Sequence, residues 1–392
     1  MAVTLQNADN ALKSVYLDVI TEQLNNNVNP FLAAIKHSTE DVWGKEVRKL
    51  AVYGMNGGIG AGTEDGDLPL AGGNNYGQFV TTLKNLYGVV EISDKAIRAS
   101  ENNSGAFVNL LNAEMEGLIK SSTFNFGRML YGDGSGTLAK VQDVQSGIVV
   151  LDSIINILEG MTVDFRDKDG NLIEQAKGRR IKVLDRDNKA ILLSGSTLDT
   201  SILPYGTYMT VQGSYNNEIT GLKALFDIES ESLYGMKRID NLWLNPYVLN
   251  DIGVMSETIL QTALDKIEAT SGNPVNFIVC SWGVRRALQK MLTSNRYGVD
   301  TLEIKGGFKA ISFNGIPIVV DRFCPSGTMY LLNTNDFILH QLCDWQWLQD
   351  DDGKVLKQVP GKPVYTATLV KYADLICSRP NGQGMITGIV EV

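Results

Sequence analysis

The cleanest periodicity in the chain lies at 106–131. Phe107, Leu110, Leu111, Met115, Leu118, Ile119, Phe126, Met129 and Leu130 recur mostly at i, i+3 and i+4, the spacing of an amphipathic helix. Asn103 or Ser104 offers an N-cap, and Gly132-Asp133-Gly134-Ser135-Gly136 stops the helix. At ~1.5 Å per residue this is a rod of roughly 40 Å, longer than the usual three turns. A shorter stripe of Leu12, Val15, Tyr16, Val19 and Ile20 predicts a helix over 11–24, closed by Asn25-Asn26-Asn27-Val28-Asn29-Pro30. Residues 1 to about 50 read as an arm and not as a self-contained domain.

Between 54 and 77 the periodicity fails. GMNGGIGAGTEDGDLPLAGGNNYG holds nine glycines in twenty-four residues and few apolar side chains. That is too little burial to offset the entropy of ordering the backbone. Strand-like stretches flank it at 46–53 and 78–92. The expectation is a long two-stranded loop projecting from the body. Long loops of this kind are functional or disordered, and an isolated hairpin is marginal, so this one needs a neighbour to lie on.

From 138 to about 215, β-branched runs at 147–151, 161–165, 180–184, 190–193 and 208–211 alternate with turn signals. The turns are Asp167-Lys168-Asp169-Gly170-Asn171 and Asp185-Arg186-Asp187-Asn188. This predicts an inserted all-β module, a small barrel or a sandwich. After Asn217 the chain is mixed. Asn245-Pro246 is expected to open a helical region with Pro in its first turn, and Ile259, Leu260, Ala263, Leu264 and Ile267 share one face. A buried strand is expected at 277–280, followed by a helix capped by Ser281 and carrying Val284, Leu288 and Leu292. Further strands are expected at 310–313, 316–320, 329–332, 337–342, 365–370 and 385–392.

A chain of 392 residues fits two or three folded units, and 44% hydrophobic with 20% charged residues allows a sizeable core. The net charge of −9 argues against a tight, sequence-reading nucleic-acid partner, which would need clustered Lys and Arg. No apolar run reaches the ~18 residues of a membrane helix. The start MAVTLQNADN has neither the basic nor the apolar segment of a secretory signal. Cys280, Cys324, Cys343 and Cys377 lack C-x-x-C spacing and read as buried reduced thiols, with a metal site or a disulfide as the alternatives.

Catalytic and ligand motifs fail on spacing. Gly58, Gly60 and Gly62 alternate, but Thr63 and Asp65 stand where a dinucleotide fingerprint needs its third glycine. No Gly-Lys is followed by Ser or Thr, and Glu64, Asp65 and Asp67 have no base beside them to hold a phosphate. A calcium loop centred on Gly170 would need Phe165 and Ala176 as ligands, so a β-turn is expected there. Asp350-Asp351-Asp352-Gly353 reads as a hairpin turn, with weak cation binding as the alternative. His37 and His340 are the chain's two histidines; they read as isolated structural or surface imidazoles, and no Ser sits in G-x-S-x-G. Trp345 and Trp347 alternate on a strand, as core or interface packing. No catalytic, metal or cofactor-binding residue is assigned, and no cofactor is expected.

The order of elements is more telling than any motif. An arm, a glycine-rich loop, a long helix, a G-D-G-S-G stop and a mixed domain with returning strands together resemble the Hong Kong 97-type fold of tailed-bacteriophage major capsid proteins. LKNLYGVVEISDKAIRAS resembles the second strand of that family's extended loop and its approach to the spine helix. Phe126-Gly127-Arg128-Met129-Leu130-Tyr131-Gly132-Asp133-Gly134 resembles the C-terminus of the spine. Phe313-Asn314-Gly315-Ile316-Pro317-Ile318-Val319-Val320-Asp321 and Pro325-Ser326-Gly327-Thr328-Met329-Tyr330-Leu331-Leu332 resemble strands of the axial domain. The likeness covers about 1–135 and 215–392. The module at 138–215 departs from the minimal fold, as insertions in some members do, facing outward or bracing a subunit.

The resemblance implies an α+β chain with an N-terminal arm at 1–50, an extended loop at 51–92 and a peripheral domain with the spine helix at 93–137. It implies an inserted β-barrel or sandwich domain at 138–215, more of the peripheral domain at 216–249, an axial domain at 250–342 and return strands at 343–392. It also implies self-assembly and no enzymatic activity. Hexamers and pentamers would form an icosahedral head around double-stranded DNA, built in the host bacterial cytoplasm and retained in the virion. Its partners would be other copies of the chain, a portal protein at one vertex, a separate scaffolding protein and non-specifically contacted DNA, with no membrane. An acidic wall suits that role, because packed DNA should not adhere to it.

In the family the extended loop lies across one neighbour, the arm reaches another, and the axial domain surrounds the capsomer centre. The candidate assembly residues are therefore Gly54, Gly60, Gly62, Glu64, Asp65, Asp67, Tyr76 and Lys84. Some members crosslink a loop lysine to a neighbour's asparagine. No lysine stands between Val52 and Leu83, and Lys84 is expected well down the second strand, so no crosslink from the loop tip is expected. Some members lose an N-terminal scaffolding segment to a protease. Here Met1 leads almost directly into the arm, so scaffolding is expected to be a separate protein or not needed. Two alternatives are an encapsulin-type nanocompartment with the same fold, and a soluble α+β ligand-binding or enzymatic protein with a polar pocket.

Overall fold

The computed structural model describes residues 29–95, 104–294, 301–304, 308–349 and 355–392. The helix expected over 11–24, the cap at Asn103 and the turn at 350–353 lie outside the described residues. The chain divides into two compact units, Met1–Lys120 with Leu225–Val392, and Ser121–Ala224. No helix among the described residues is long and apolar enough to cross a membrane.

The first described element is the short helix α1 (Pro30–Ala34). Asn29 caps it by accepting the Leu32 N–H at 3.0 Å, and Pro30 sits where no N–H is needed. Phe31 is buried edge-on against Phe337 at 5.3 Å. Strands β1 (Lys36–Ser38), β2 (Val42–Trp43), β3 (Glu46–Tyr53), β4 (Asn75–Thr82) and β5 (Lys84–Ser93) follow. β3 and β4 form an antiparallel hairpin, from Glu46 opposite Thr82 to Tyr53 opposite Asn75. The stretch expected as one strand over 78–92 is two strands. Leu83 breaks it by turning its N–H to the Lys45 carbonyl (2.9 Å). Beyond that point Leu86, Val90 and Ile92 are buried on one side of β5, which pairs with a C-terminal strand and not with β3.

Helix α2 (Ser104–Met129) carries buried Met115, Ile119, Phe126 and Met129, and the Gly132 N–H closes it on the Met129 carbonyl at 3.0 Å. Next come β6 (Thr137–Gln145), β7 (Ile148–Leu151), β8 (Thr162–Arg166), β9 (Arg179–Asp185), β10 (Ala190–Leu193) and β11 (Tyr208–Val211). They close a barrel in the order β10-β7-β6-β11-β8-β9. Closure removes free strand edges, and alternation fills the interior with Val141, Val149, Val163, Phe165, Ile181, Ile191 and Met209. The β8–β9 connection is a turn. The Asp167 carboxylate accepts N–H groups of Asp169 (2.9 Å) and Asn171 (2.8 Å). The Asn171 side-chain amide, with those N–H groups, holds the Asp167 carboxyl below its ordinary range. Phe165→Ala is expected to cost about 3–5 kcal/mol, as loss of a fully buried ring does, read from urea unfolding.

The remaining elements are α3 (Leu222–Phe226), β12 (Ser232–Leu233), β13 (Met236–Lys237), β14 (Tyr247–Leu249), α4 (Glu257–Ser271), β15 (Phe277–Cys280) and α5 (Trp282–Ser294). After them come β16 (Thr301–Ile304), β17 (Phe308–Phe313), β18 (Ile316–Val320), β19 (Met329–Leu332), β20 (Phe337–Trp347), β21 (Lys357–Gln358), β22 (Val364–Cys377) and β23 (Gly384–Ile386). A mixed sheet runs β14-β23-β19-β15-β18-β17-β16. Every residue of β15 is buried, as suits a short apolar run inside a covered sheet. Leu260, Ala263, Leu264 and Ile267 of α4, with Val284, Leu288 and Leu292 of α5, join Ile278, Ile318 and Leu331 in one core. The Ser281 hydroxyl oxygen accepts the Val284 N–H at 3.5 Å.

The helix expected to open at Asn245-Pro246 is absent there. Tyr247 gives its N–H to the Gln383 carbonyl (2.9 Å), so a sheet edge claims the segment as β14. The helix begins only at Glu257, where Ser256 caps it. The strand expected over 385–392 shrinks to β23, because Gly388 takes φ +69°, where a Cβ would meet the Asp251 backbone at 2.5 Å.

A second sheet is built around β22. β5 lies along one edge, β20 and β21 along the other, and β1 runs parallel on the outer edge of β20. The pairing of β20 with β22 shifts register twice, between Gln341 and Gln346. Beside the shift lies fully buried Lys371, which donates to Gln341 Oε1 (2.8 Å) and Asp344 Oδ1 (2.5 Å). Burial pushes its pKa below the ordinary lysine value. Trp345 and Trp347 are buried on β20. All four cysteines are free thiols, and burial pushes Cys280 up to about 12.

Candidate assembly surface

The β3–β4 hairpin has two unlike faces. Inward, Val47, Ala51 and Phe79 are buried. Tyr53 stacks on Trp243 with centroids 4.8 Å apart, and Phe79 sits 5.2 Å from Tyr234 and 5.7 Å from Trp243. The Val80 N–H reaches the Tyr234 carbonyl (2.9 Å), and the Thr81 hydroxyl donates to Asp374. Outward, strand alternation leaves Leu50, Val52 and Tyr76 in solvent, with Val52 directly opposite Tyr76. Two aromatic pairs at about 0.5–1.5 kcal/mol each hold the base through Trp243. Trp243→Ala is expected to cost roughly 1–3 kcal/mol and to speed amide exchange in β3 and β4, read by mass spectrometry.

Beyond the paired strands, residues 54–74 form a narrow glycine loop. Gly54 opens it at φ +69°. Its two limbs touch at Gly58 and Gly72, where a Cβ on Gly72 would lie 2.4 Å from the Gly58 nitrogen, so only glycine fits. Asn56 bridges to Asn74 at 3.0 Å. Gly60 faces Pro69, where a Cβ would come within 3.0 Å, whereas Gly62 has ordinary room. Glu64, Asp65 and Asp67 are exposed near the tip, around a turn from the Gly66 N–H to the Thr63 carbonyl (3.3 Å). The structure thus gathers Gly54, Gly60, Gly62, Glu64, Asp65 and Asp67 on one loop, with Tyr76 at its base. Lys84 does not join them. It starts β5, opposite Ala373, because the loop's second strand ends at Thr82.

Sequence reasoning passed over the apolar part of this surface. Leu68 and Leu70 are 89% and 90% exposed, and Met55 and Ile59 also stand in solvent. The signal was present as Leu68-Pro69-Leu70 inside a polar loop. An open groove of about 530 Å³ lies elsewhere, lined in part by Ile228, Glu231, Lys237, Ile239 and Leu242. Among the described residues no group of three or more His, Cys, Asp or Glu side chains is placed to hold a metal ion.

No family model matches the sequence, and no curated protein matches it. Solved structures do match the fold. The capsid asymmetric unit of cyanophage A-1(L) aligns at TM-score 0.53 and 10% identity, over 94% of this chain and 92% of that one. The procapsid of satellite phage P4 aligns at TM-score 0.45 and 9% identity, over 96% and 99%. The SrpI encapsulin complex of Synechococcus elongatus aligns at TM-score 0.45 and 11% identity, over 95% and 95%. By the first of these the chain has a phage capsid fold, the α+β fold that the order of its elements resembles.

Proposed function

We propose that this chain is the major capsid protein of a tailed phage, a shell subunit that acts by assembling with its own copies and carries out no reaction. The observation that carries this reading is the glycine loop, which holds Leu68 and Leu70 almost wholly in water. A monomer gains nothing from such surface, whereas a neighbouring copy would cover it. The phage capsid fold supports the class. In this reading the loop and Tyr76 lie across a neighbour, α2 is the spine, the β14–β19 region forms the capsomer centre, and the barrel is an inserted domain. Hexamers and pentamers close the head, a portal occupies one vertex, and a separate scaffolding protein guides closure. The net charge of −9 keeps packaged DNA from adhering to the wall.

Particles built from this chain in its phage should contain nuclease-protected double-stranded DNA. Particles filled with an enzyme cargo and no DNA would replace the phage reading with a cellular compartment.

A further inference from the structure

Both histidines of the chain stand at one seam. β1 runs parallel to β20, with His37 opposite Leu339 and Ser38 opposite His340. Their side chains point to opposite faces, because neighbouring strand positions alternate. His37 is exposed. His340 is wholly buried, and its Nδ1 lies 3.3 Å from the Glu40 backbone carbonyl. A carbonyl oxygen only accepts, so Nδ1 carries the proton. Nε2 is then the lone-pair nitrogen, and it is buried without a hydrogen-bond partner among the described residues. A second proton would create there a donor with no acceptor among the described residues and a charge inside the buried core.

The surroundings give the imidazolium little help. Asp374 stands opposite His340 on β22, but its carboxylate already accepts the Thr81 hydroxyl and the Leu375 N–H. The Glu40 carbonyl and Asp41 favour the charged form, and Lys49 of β3 opposes it. Burial is the largest influence and holds His340 below 6.5. On the other side burial and Lys371 hold His37 below its ordinary value as well, against the Leu32 carbonyl and Asp344, which favour its charged form. β1 itself is held lightly, by three residues at the edge of its sheet.

We infer that the β1–β20 seam is a pH-operated latch: neutral His340 keeps residues 36–40 on β20, and a proton on its Nε2 releases them. The sign follows from linkage. The released imidazole titrates near 6.5 and the latched one below it, so the seam is fully held above 6.5 and weakens as pH falls. His340 takes up one proton on release, which by itself raises the open population up to about tenfold per pH unit. The latch operates in the isolated chain, whatever the chain assembles into.

The test is amide hydrogen exchange of the full chain at pH 7.5 and 5.5, corrected for intrinsic rates. Peptides over 36–40 should open at least about tenfold more at pH 5.5, while β15 and β19 stay unchanged. His340→Asn keeps an amide donor near Glu40 without titrating in this range, and it should remove the tenfold share that His340 contributes; His37→Gln should keep that share. Should His340→Asn fail to fold, exchange at the imidazole C2 of the unsubstituted protein reads the His340 midpoint directly, expected below 6.5. Equal protection at the two pH values, an increment undiminished by His340→Asn, or a midpoint at or above 6.5 would each overturn the latch.

Discussion

Leu68→Asp combined with Leu70→Asp is expected to abolish fast-sedimenting particles while leaving the subunit's unfolding free energy within about 0.5 kcal/mol. Both side chains are almost fully exposed in the single chain, and substitutions at such positions barely change stability. Their effect falls on association. Covering each leucine against a neighbour is worth about 1.5–3 kcal/mol, and a buried aspartate adds a desolvation penalty. The loop already carries Glu64, Asp65 and Asp67, with no Lys or Arg between Lys49 and Lys84. Two further negative charges would raise the repulsion at any acidic neighbour. A shell repeats the same contact at every subunit, so the deficit is multiplied through closure. Sedimentation velocity reads the assembly and urea unfolding reads the subunit. Normal particle yield from the double variant would remove the loop from the interface.

Glu218→Ala is expected to destabilise the Ser121–Ala224 unit by about 3–5 kcal/mol, as much as the loss of a fully buried ring. Arg128 and Glu218 are 6% and 2% exposed, so the pair is sealed from solvent. The guanidinium grips both carboxylate oxygens, with Nη1 at 3.0 Å from Oε2 and Nη2 on Oε1. Two further donors, Nη2 and Nε, go to Asn125 Oδ1, at 2.7 and 3.1 Å. Removing the carboxylate leaves a buried cation with only that amide oxygen. Replacing both partners, as in Arg128→Met with Glu218→Leu, should recover most of the loss, because the cost is the unpaired charge and not the missing pair. Urea unfolding of the three variants decides it. A loss below about 1 kcal/mol for Glu218→Ala would mean that water reaches the site.

Elements made of local apolar runs between turn residues were legible in the sequence. The strands at 190–193, 208–211, 277–280, 316–320 and 329–332 fall where their β-branched runs fall, and the helix expected over 106–131 spans Ser104–Met129. What escaped depends on distant partners. β6 reads T-L-A-K-V-Q-D-V-Q and buries only Ala139, Val141 and Val144, so its strand character comes from barrel closure. The break at Leu83 exists because β22, far along the chain, takes β5 from the hairpin. β14 replaces the helix expected after Asn245-Pro246 because β23 offers a parallel edge. β20 joins the strand expected at 337–342 to the one expected at Trp345 and Trp347, across register shifts that composition does not mark. The glycine loop was visible from composition. Its apolar content was discounted because it is sparse, yet exposure and not number makes Leu68 and Leu70 notable. No local signal could reveal that His340 would be buried with Nε2 unpartnered beside β1.

The central claim is that the chain builds shells from its own copies. Sedimentation velocity of the purified protein, with negative-stain microscopy of whatever sediments fast, tests it most directly. Closed shells or capsomer rings are the predicted result, and their diameter would begin to fix the shell geometry. A small monomer that persists across salt, under crowding and on co-expression with candidate scaffolding proteins would contradict it.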